Sequence, residues 1–281
     1  MRANSRLFGR AVAVSALFLS GMTLATLAVT SAVGAAGSNA SQVSLAAMAV
    51  RPLSGVKVFG WGFDDPDGVA SDGIHVWVAN QGGNSVTELS ASTGALVRVI
   101  GGPRYGFDDP DGVASNGIHV WVANRDGNSV TEFSASTGAL VRVIRGVNYG
   151  FDDPEGIAMS ATYVCVTNRD GDSVTEFSTS AGVLVKVIRG SRYGFDHPAA
   201  VASDGIHFWV ANQGGNSVTE LSASTGALVK VDSGARYGFD QVVSGIGGLI
   251  VLPGPSAIAS DGTHVWVANA DGQSVTEFPA S

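Results

Sequence analysis

Downstream of residue 61 the chain alternates short apolar runs with polar turns. His75-Val76-Trp77-Val78-Ala79 is one such run, built of β formers and bounded by Asp72-Gly73 and Gln81-Gly82-Gly83-Asn84. The pattern predicts a strand with a turn at each end. Gly68-Val69-Ala70-Ser71 predicts a shorter strand before it, and Asp72-Gly73 is a tight hairpin signal. Ser85 to Leu89 predicts a third strand and Leu96 to Ile100 a fourth, with Ser92-Thr93-Gly94 turning between them. Good helix formers are scarce through this stretch, which disfavours a helical bundle.

The unit recurs. Gly62, Gly106, Gly150 and Gly194 open GFDDP, GFDDP, GFDDP and GFDHP at a spacing of 44, and residues 62–105 and 106–149 agree at 37 of 44 positions. A fifth copy is offset: Gly238-Phe239-Asp240 keeps register, an insertion follows over 241–253, and the repeat resumes near 254–281. Four short antiparallel strands in every copy describe a propeller blade. The expectation is an all-β, five-bladed β-propeller of four-stranded blades, with repeats near 62–105, 106–149, 150–193, 194–237 and 254–281. A β-helix would need shorter rungs and parallel strands. The insertion is too short for a blade and reads as a hairpin or loop on one face.

The ends of the chain suggest how a ring closes. The fifth copy stops at Ser281 after its third strand, while Val56-Lys57-Val58-Phe59 matches Val97-Arg98-Val99-Ile100 with no blade of its own. The expectation is that 53–59 completes the last blade and leaves no open edge. Each fourth strand carries one basic residue (Lys57, Arg98, Arg142, Lys186, Lys230). Hairpin spacing sets these opposite Glu277, Glu88, Glu132, Glu176 and Glu220, as exposed pairs worth about 0.2–1 kcal/mol each.

Composition adds a compartment. Residues 1–36 carry Arg2, Arg6 and Arg10, then an apolar run from Ala11 to Val33 and a small-residue exit, Gly34-Ala35-Ala36. This is the layout of a secretory signal peptide; an uncleaved membrane anchor is the alternative. Residues 37–51 read as a flexible lead-in. The expected location is secreted, periplasmic or in the cell envelope, with no other membrane segment. The formal net charge is -8 with no Lys/Arg cluster, which argues against nucleic acid as a partner. Cleavage removes three arginines and leaves 13 basic against 24 acidic residues, or -11. With a single cysteine, Cys165, no disulfide within the chain can form, and packing must supply the stability.

The run Pro66-Asp67-Gly68-Val69-Ala70-Ser71-Asp72-Gly73, with Val76-Trp77-Val78-Ala79-Asn80 and Asn84-Ser85-Val86-Thr87, resembles bacterial YVTN/NHL-type β-propeller repeats. The resemblance covers about 230 residues, from 52 to the end. It implies an extracytoplasmic propeller that binds proteins, glycans or surfaces. A more distant likeness runs to streptogramin-lyase and gluconolactonase-type propellers, which implies enzymes using a divalent metal. Those folds usually have six or seven blades and unique polar residues near the axis, whereas this chain has near-identical copies.

The loops before the first strand and between the second and third lie on one face of such a ring, which is the default ligand face. Ligand-face candidates are Asn80, Asn124, Asn168, Asn212 and Asn269, with Asp196, His197 and Gln241 where the repeat is most individual; the preferred reading of the asparagines is that they satisfy backbone groups in the neighbouring loop. The acidic pairs Asp64/Asp65, Asp108/Asp109 and Asp152/Asp153, with Asp240, are the metal candidates; Ca2+ or Mg2+ would be the ion. The preferred reading of these acids is turn chemistry, with Asp before Pro accepting backbone N–H groups at the blade crossing. His75, His119, His207 and His264 fall at the opposite end, spread by the ring symmetry, and Trp77, Trp121, Trp209 and Trp266 are interblade anchors. His197 beside Asp196 is the one base candidate, without a readable nucleophile. The functional expectation is therefore an exported, monomeric, non-enzymatic scaffold without a cofactor, for an extracellular protein or glycan. A metal-dependent lyase or lactonase is the alternative. An axis lined only by Val, Ala and Ser would count against catalysis.

Overall fold

The structure, a computed structural model, describes residues 57–239, 241–245, 248–252, 254–269 and 274–280. The leader and lead-in expected over 1–51 lie outside the described residues, as does Asp240. Among the described residues no helix is long and apolar enough to cross a membrane.

The first blade is β1 (Pro66–Ser71), β2 (His75–Asn80), β3 (Ser85–Ser90) and β4 (Leu96–Gly101), antiparallel and in that order. The second is β5 (Pro110–Ser115), β6 (His119–Asn124), β7 (Ser129–Ser134) and β8 (Leu140–Arg145). The third is β9 (Pro154–Met159), β10 (Tyr163–Asn168), β11 (Ser173–Ser178) and β12 (Leu184–Arg189). The fourth is β13 (Pro198–Ser203), β14 (His207–Asn212), β15 (Ser217–Ser222) and β16 (Leu228–Ser233). The insertion forms a separate hairpin, β17 (Gln241–Gly245) with β18 (Gly248–Leu252). The fifth blade is β19 (Pro255–Ser260), β20 (His264–Asn269) and β21 (Ser274–Pro279). Neighbouring blades touch through their first strands, β1 on β5, β5 on β9, β9 on β13 and β13 on β19. The five blades form a ring, and the chain is a β-propeller.

The expected closing strand falls on 53–59. Its part up to Val56 lies outside the described residues, and residues 57–60, which belong to a separate N-terminal unit, form no strand. Among the described residues the fifth blade therefore has three strands. Val275 on β21 is 67% exposed, whereas Val86, Val130 and Val174 are 0% exposed under a fourth strand.

Packing between blades is carried by the tryptophans. Trp77 lies among Val113, Val120 and Phe133 of the second blade, and Trp121 among Ile157, Val164 and Phe177 of the third. Trp209 lies among Ile258, Val265 and Phe278 of the fifth. A 3-10 turn precedes each crossing, and its tyrosine locks the junction. Tyr105 stacks on Phe107 at 5.5 Å and donates its hydroxyl to the Gly138 carbonyl at 2.7 Å, while its backbone carbonyl accepts from Thr131 Oγ1 at 2.7 Å.

The Glu–basic rungs form in the expected register, Glu88 opposite Arg98 and Glu132 opposite Arg142. They are not exposed pairs. Glu88, Glu132 and Glu176 are 0% exposed, because the third strand lies under the next blade. Burial pushes the carboxyls of Glu88, Glu132 and Glu176 up, and the facing Arg98, Arg142 or Lys186 opposes this. The Nε–Oε2 distances are 2.8 Å for Arg98–Glu88 and 2.9 Å for Arg142–Glu132. Arg98 continues to the Ser136 carbonyl of the next blade at 3.0 Å, so each rung also ties two blades together.

Candidate functional site

The repeat brings two sequence columns to one end of the axis. The first follows the proline that opens each inner strand and reads Asp67, Asp111, Glu155, Ala199 and Ser256. The second follows the Asn that ends each second strand and reads Gln81, Arg125, Arg169 and Gln213; Ala270, next in the column by sequence, lies outside the described residues. Arg125 Nε stands 3.3 Å from Asp109 and 3.1 Å from Asp153, and its Nη1 3.9 Å from Asp111 and 3.8 Å from Glu155. Arg169 reaches Glu155 at 3.6 Å and Asp153 at 3.9 Å, and donates to Gln213 Oε1 at 3.1 Å. Burial works against the Arg125 charge, but Asp153, Asp109, Asp111 and Glu155 more than offset it and hold its pKa above the ordinary value.

Glu155 is the most perturbed carboxyl of the group. Burial and the neighbouring Asp111 push its pKa up to about 8, against Arg169 and Arg125, with Asp153 adding to the rise. The folded pKa exceeds the ordinary carboxyl value, so the folded state holds a proton that the unfolded chain releases. Stability is full below the unfolded pKa and declines as pH rises through about 8. Urea unfolding between pH 5 and pH 9 is expected to show this decline, and Glu155→Gln is expected to flatten it; an equal slope in both proteins would contradict the assignment.

Below this charged mouth the axis is pinched. A Cβ on Gly68 would stand 2.1 Å from the Asp111 carbonyl oxygen, and one on Gly112 would stand 2.3 Å from that of Glu155. The space left there is about 20 Å3, on the order of one water. At the other end the axis opens into a funnel of about 320 Å3, walled by Ala70, Ala114, Ala158, Ala202, Ala259 and Met159. Serine hydroxyls at its rim are turned into their own hairpins, Ser71 onto the His75 carbonyl at 2.8 Å and Ser260 onto that of His264 at 3.0 Å. The expected lining of small residues holds for the funnel, which also takes Ile157 and Met159. It does not hold for the charged mouth.

The candidates picked from constant positions mostly serve the blades. Asn80, Asn124, Asn168, Asn212 and Asn269 are buried, 0–3% exposed, and do not present to the ligand face. Their amides donate across the hairpin, Asn124 to Ser129 Oγ at 3.1 Å and Thr131 Oγ1 at 2.9 Å. The interblade clasp comes from a different asparagine: Asn84 Oδ1 accepts from the Asp109 backbone N–H at 2.8 Å, and Asn128 from that of Asp153 at 2.9 Å. Asp65, Asp109 and Asp153 take left-handed backbone (φ 51, 55 and 55), a conformation that Asp tolerates well among non-glycine residues. His75 lies 3.7 Å from Glu88 and His119 lies 3.1 Å from Glu132, each within its own blade.

The acidic pairs Asp64/Asp65, Asp108/Asp109 and Asp152/Asp153 do not gather three ligand atoms at one point. Among the described residues only Asp172, Asp196 and His197 do so, with all three exposed. His197 Nδ1 is 2.9 Å from Asp196 Oδ1, and the His197 backbone N–H donates to Asp172 Oδ1 at 2.8 Å. These are the residues that could hold a divalent ion. Gln241 lies on β17, away from an inner strand.

Comparison with known proteins bears on the fold. No family model matches the chain, and no curated protein matches it. Among solved structures, a streptogramin B lyase aligns with TM-score 0.54 and 16% identity, covering 79% of this chain and 85% of the lyase. A catalytically inactive virginiamycin B lyase from Staphylococcus aureus with quinupristin aligns with TM-score 0.55 and 14% identity, covering 76% of this chain and 84% of the other. A nidogen/laminin complex contains a chain aligning with TM-score 0.59 and 16% identity, over 76% of this chain and 75% of that one. The neighbours include an enzyme and a binding assembly, and share with this chain the propeller fold.

Proposed function

We propose that the protein is an exported, non-enzymatic binding scaffold that presents the charged end of its axis to an extracellular protein partner. The observation that carries the reading is the separation of volume from chemistry. An enzyme pocket joins a cavity of roughly 300–1,000 Å3 to a few convergent polar groups. Here the cavity of about 320 Å3 is lined by Ala, Ser, Val, Ile and Met without an ionisable side chain, and the charged groups lie over a constriction of about 20 Å3. The arginines at that end are already held between carboxylates, an arrangement suited to rigid recognition. The alternative is a metal-dependent lyase or lactonase; the fold shared with streptogramin B lyase and the Asp172, Asp196 and His197 group favour it.

The two readings separate on turnover. Incubation with quinupristin and millimolar Mg2+ or Ca2+, followed by mass spectrometry, is expected to return the substrate unchanged. Conversion that is lost in Asp172→Asn or His197→Ala would overturn the scaffold reading.

A further inference from the structure

We propose that the outer edge of the fifth blade binds an extended segment of a protein partner as a fourth strand, with a lysine or arginine of that segment opposite Glu277. This is a second surface beside the charged mouth, and it rests on the scaffold reading only in that the partner is a protein.

The complete blades supply the template. In the first, Val86 pairs with Ile100, Thr87 with Val99 and Glu88 with Arg98; in the second, Val130 pairs with Ile144 and Glu132 with Arg142. The fourth strand covers the valine and seats a cation on the glutamate. β21 carries the same residues in the same order, Ser274-Val275-Thr276-Glu277. It is also held as its counterparts are. Asn269 donates to Ser274 Oγ at 3.1 Å and to Thr276 Oγ1 at 3.0 Å, and Thr276 Oγ1 donates to the Tyr237 carbonyl. The edge is preformed, and what differs is the cover. Val275 is 67% exposed, and the Glu277 side chain is 55% exposed against 0% for Glu88. His264 stands 3.8 Å from Glu277, but His75 takes the same place at 3.7 Å from Glu88, beside Arg98. Among the described residues no lysine or arginine pairs with Glu277.

The edge is built for a strand that arrives separately. Ser90 N–H donates to the Ala95 carbonyl at 2.9 Å, and Ser134 N–H to that of Ala139 at 2.9 Å, closing the turn into the fourth strand. Pro279 stands at this position and has no N–H to give. The chain's own candidate, Val56-Lys57-Val58-Phe59, matches the edge poorly. Trp61 Nε1 donates to the Gly94 carbonyl at 3.0 Å, the lock that Tyr105 makes on Gly138 one repeat of 44 later. Arg98 precedes Tyr105 by seven residues, whereas Lys57 precedes Trp61 by four. In the register that Trp61 keeps, the place opposite Glu277 falls to Ser54. Residues 57–60 form no strand, and Val58 is 93% exposed. The β21 of a second copy has no cation to offer either. Charge complementarity therefore selects a partner segment patterned like Leu184-Val185-Lys186-Val187-Ile188, one cation among aliphatic residues. A strand added to an open edge gains main-chain hydrogen bonds for affinity and cross-strand pairs for specificity.

The test is a charge exchange. A fluorescein-labelled peptide, Gly-Leu-Val-Lys-Val-Ile-Gly, is titrated with the full chain and followed by anisotropy, alongside a counterpart with Glu in place of Lys. Saturable binding of the lysine peptide is expected, with the glutamate peptide about tenfold or more weaker. Glu277→Lys is expected to invert the preference, which a purely structural role of Glu277 would not do. Absence of binding, equal binding of the two peptides, or an unchanged preference in Glu277→Lys would overturn the proposal. Binding that appears only after deletion of residues 52–60 gives the edge to the chain's own segment, and self-association lost in Glu277→Lys gives it to a second copy; either result also overturns it. Failure here leaves the scaffold reading intact, since that reading stands or falls on quinupristin turnover.

Discussion

Trp121→Ala is expected to lower unfolding stability by about 3–5 kcal/mol. The indole is 0% exposed in the middle of β6 and packs on Ile157, Val164 and Phe177 of the next blade. Two sheets meet over it, so the cavity left behind can close only if whole blades move. The protein contains its own version of the experiment. The third blade carries Cys165 at this position, and its neighbour in the fourth blade is Phe208, where the equivalent partners of Trp77, Trp121 and Trp209 are Val120, Val164 and Val265. A small residue on one blade is answered by a large one on the next. Trp121→Cys with Val164→Phe is therefore expected to recover much of the stability lost in Trp121→Cys alone. Urea melts of the two single variants and the double variant form a cycle; strict additivity would refute the exchange.

Gly112→Ala is expected to cost about 3 kcal/mol or more. The added methyl would stand 2.3 Å from the Glu155 carbonyl oxygen and 3.1 Å from the Ile157 side chain. A carbonyl in a paired strand cannot step aside as a flexible side chain can, so β5 and β9 must separate. The fourth and fifth blades carry Ala200 and Ala257 at the corresponding position, so the approach is closest where the acidic column is present. Ala200→Gly is expected to cost only about 0.5–1 kcal/mol, through chain entropy. Urea titration of both variants checks the contrast, and a mild effect of Gly112→Ala would contradict the tight inner contact.

The strands, the turns and the tryptophan anchors were legible because each depends on local pattern, repeated until chance is excluded. The register of Glu88 with Arg98 followed from hairpin spacing alone. The burial of those glutamates did not, because it depends on the next blade, about 44 residues away in the chain. The asparagines show a related limit: a structural role was legible, but not that their partners are side chains of their own hairpin. A residue present in every copy marks what every blade needs, and Asn124 is used inside its hairpin.

The charged mouth is not legible from what repeats, because its residues differ from copy to copy. Its signal was present in two varying columns, Asp67–Asp111–Glu155 and Gln81–Arg125–Arg169, on either side of constant prolines and asparagines. The sequence by itself determined the blade, the number of copies and their order, since period and turn chemistry are properties of neighbouring residues. Only the tertiary structure decided which end of the axis is charged, where it narrows and which arginine meets which acid. Those distances arise when strands from different repeats converge on one axis, and no local pattern encodes that convergence.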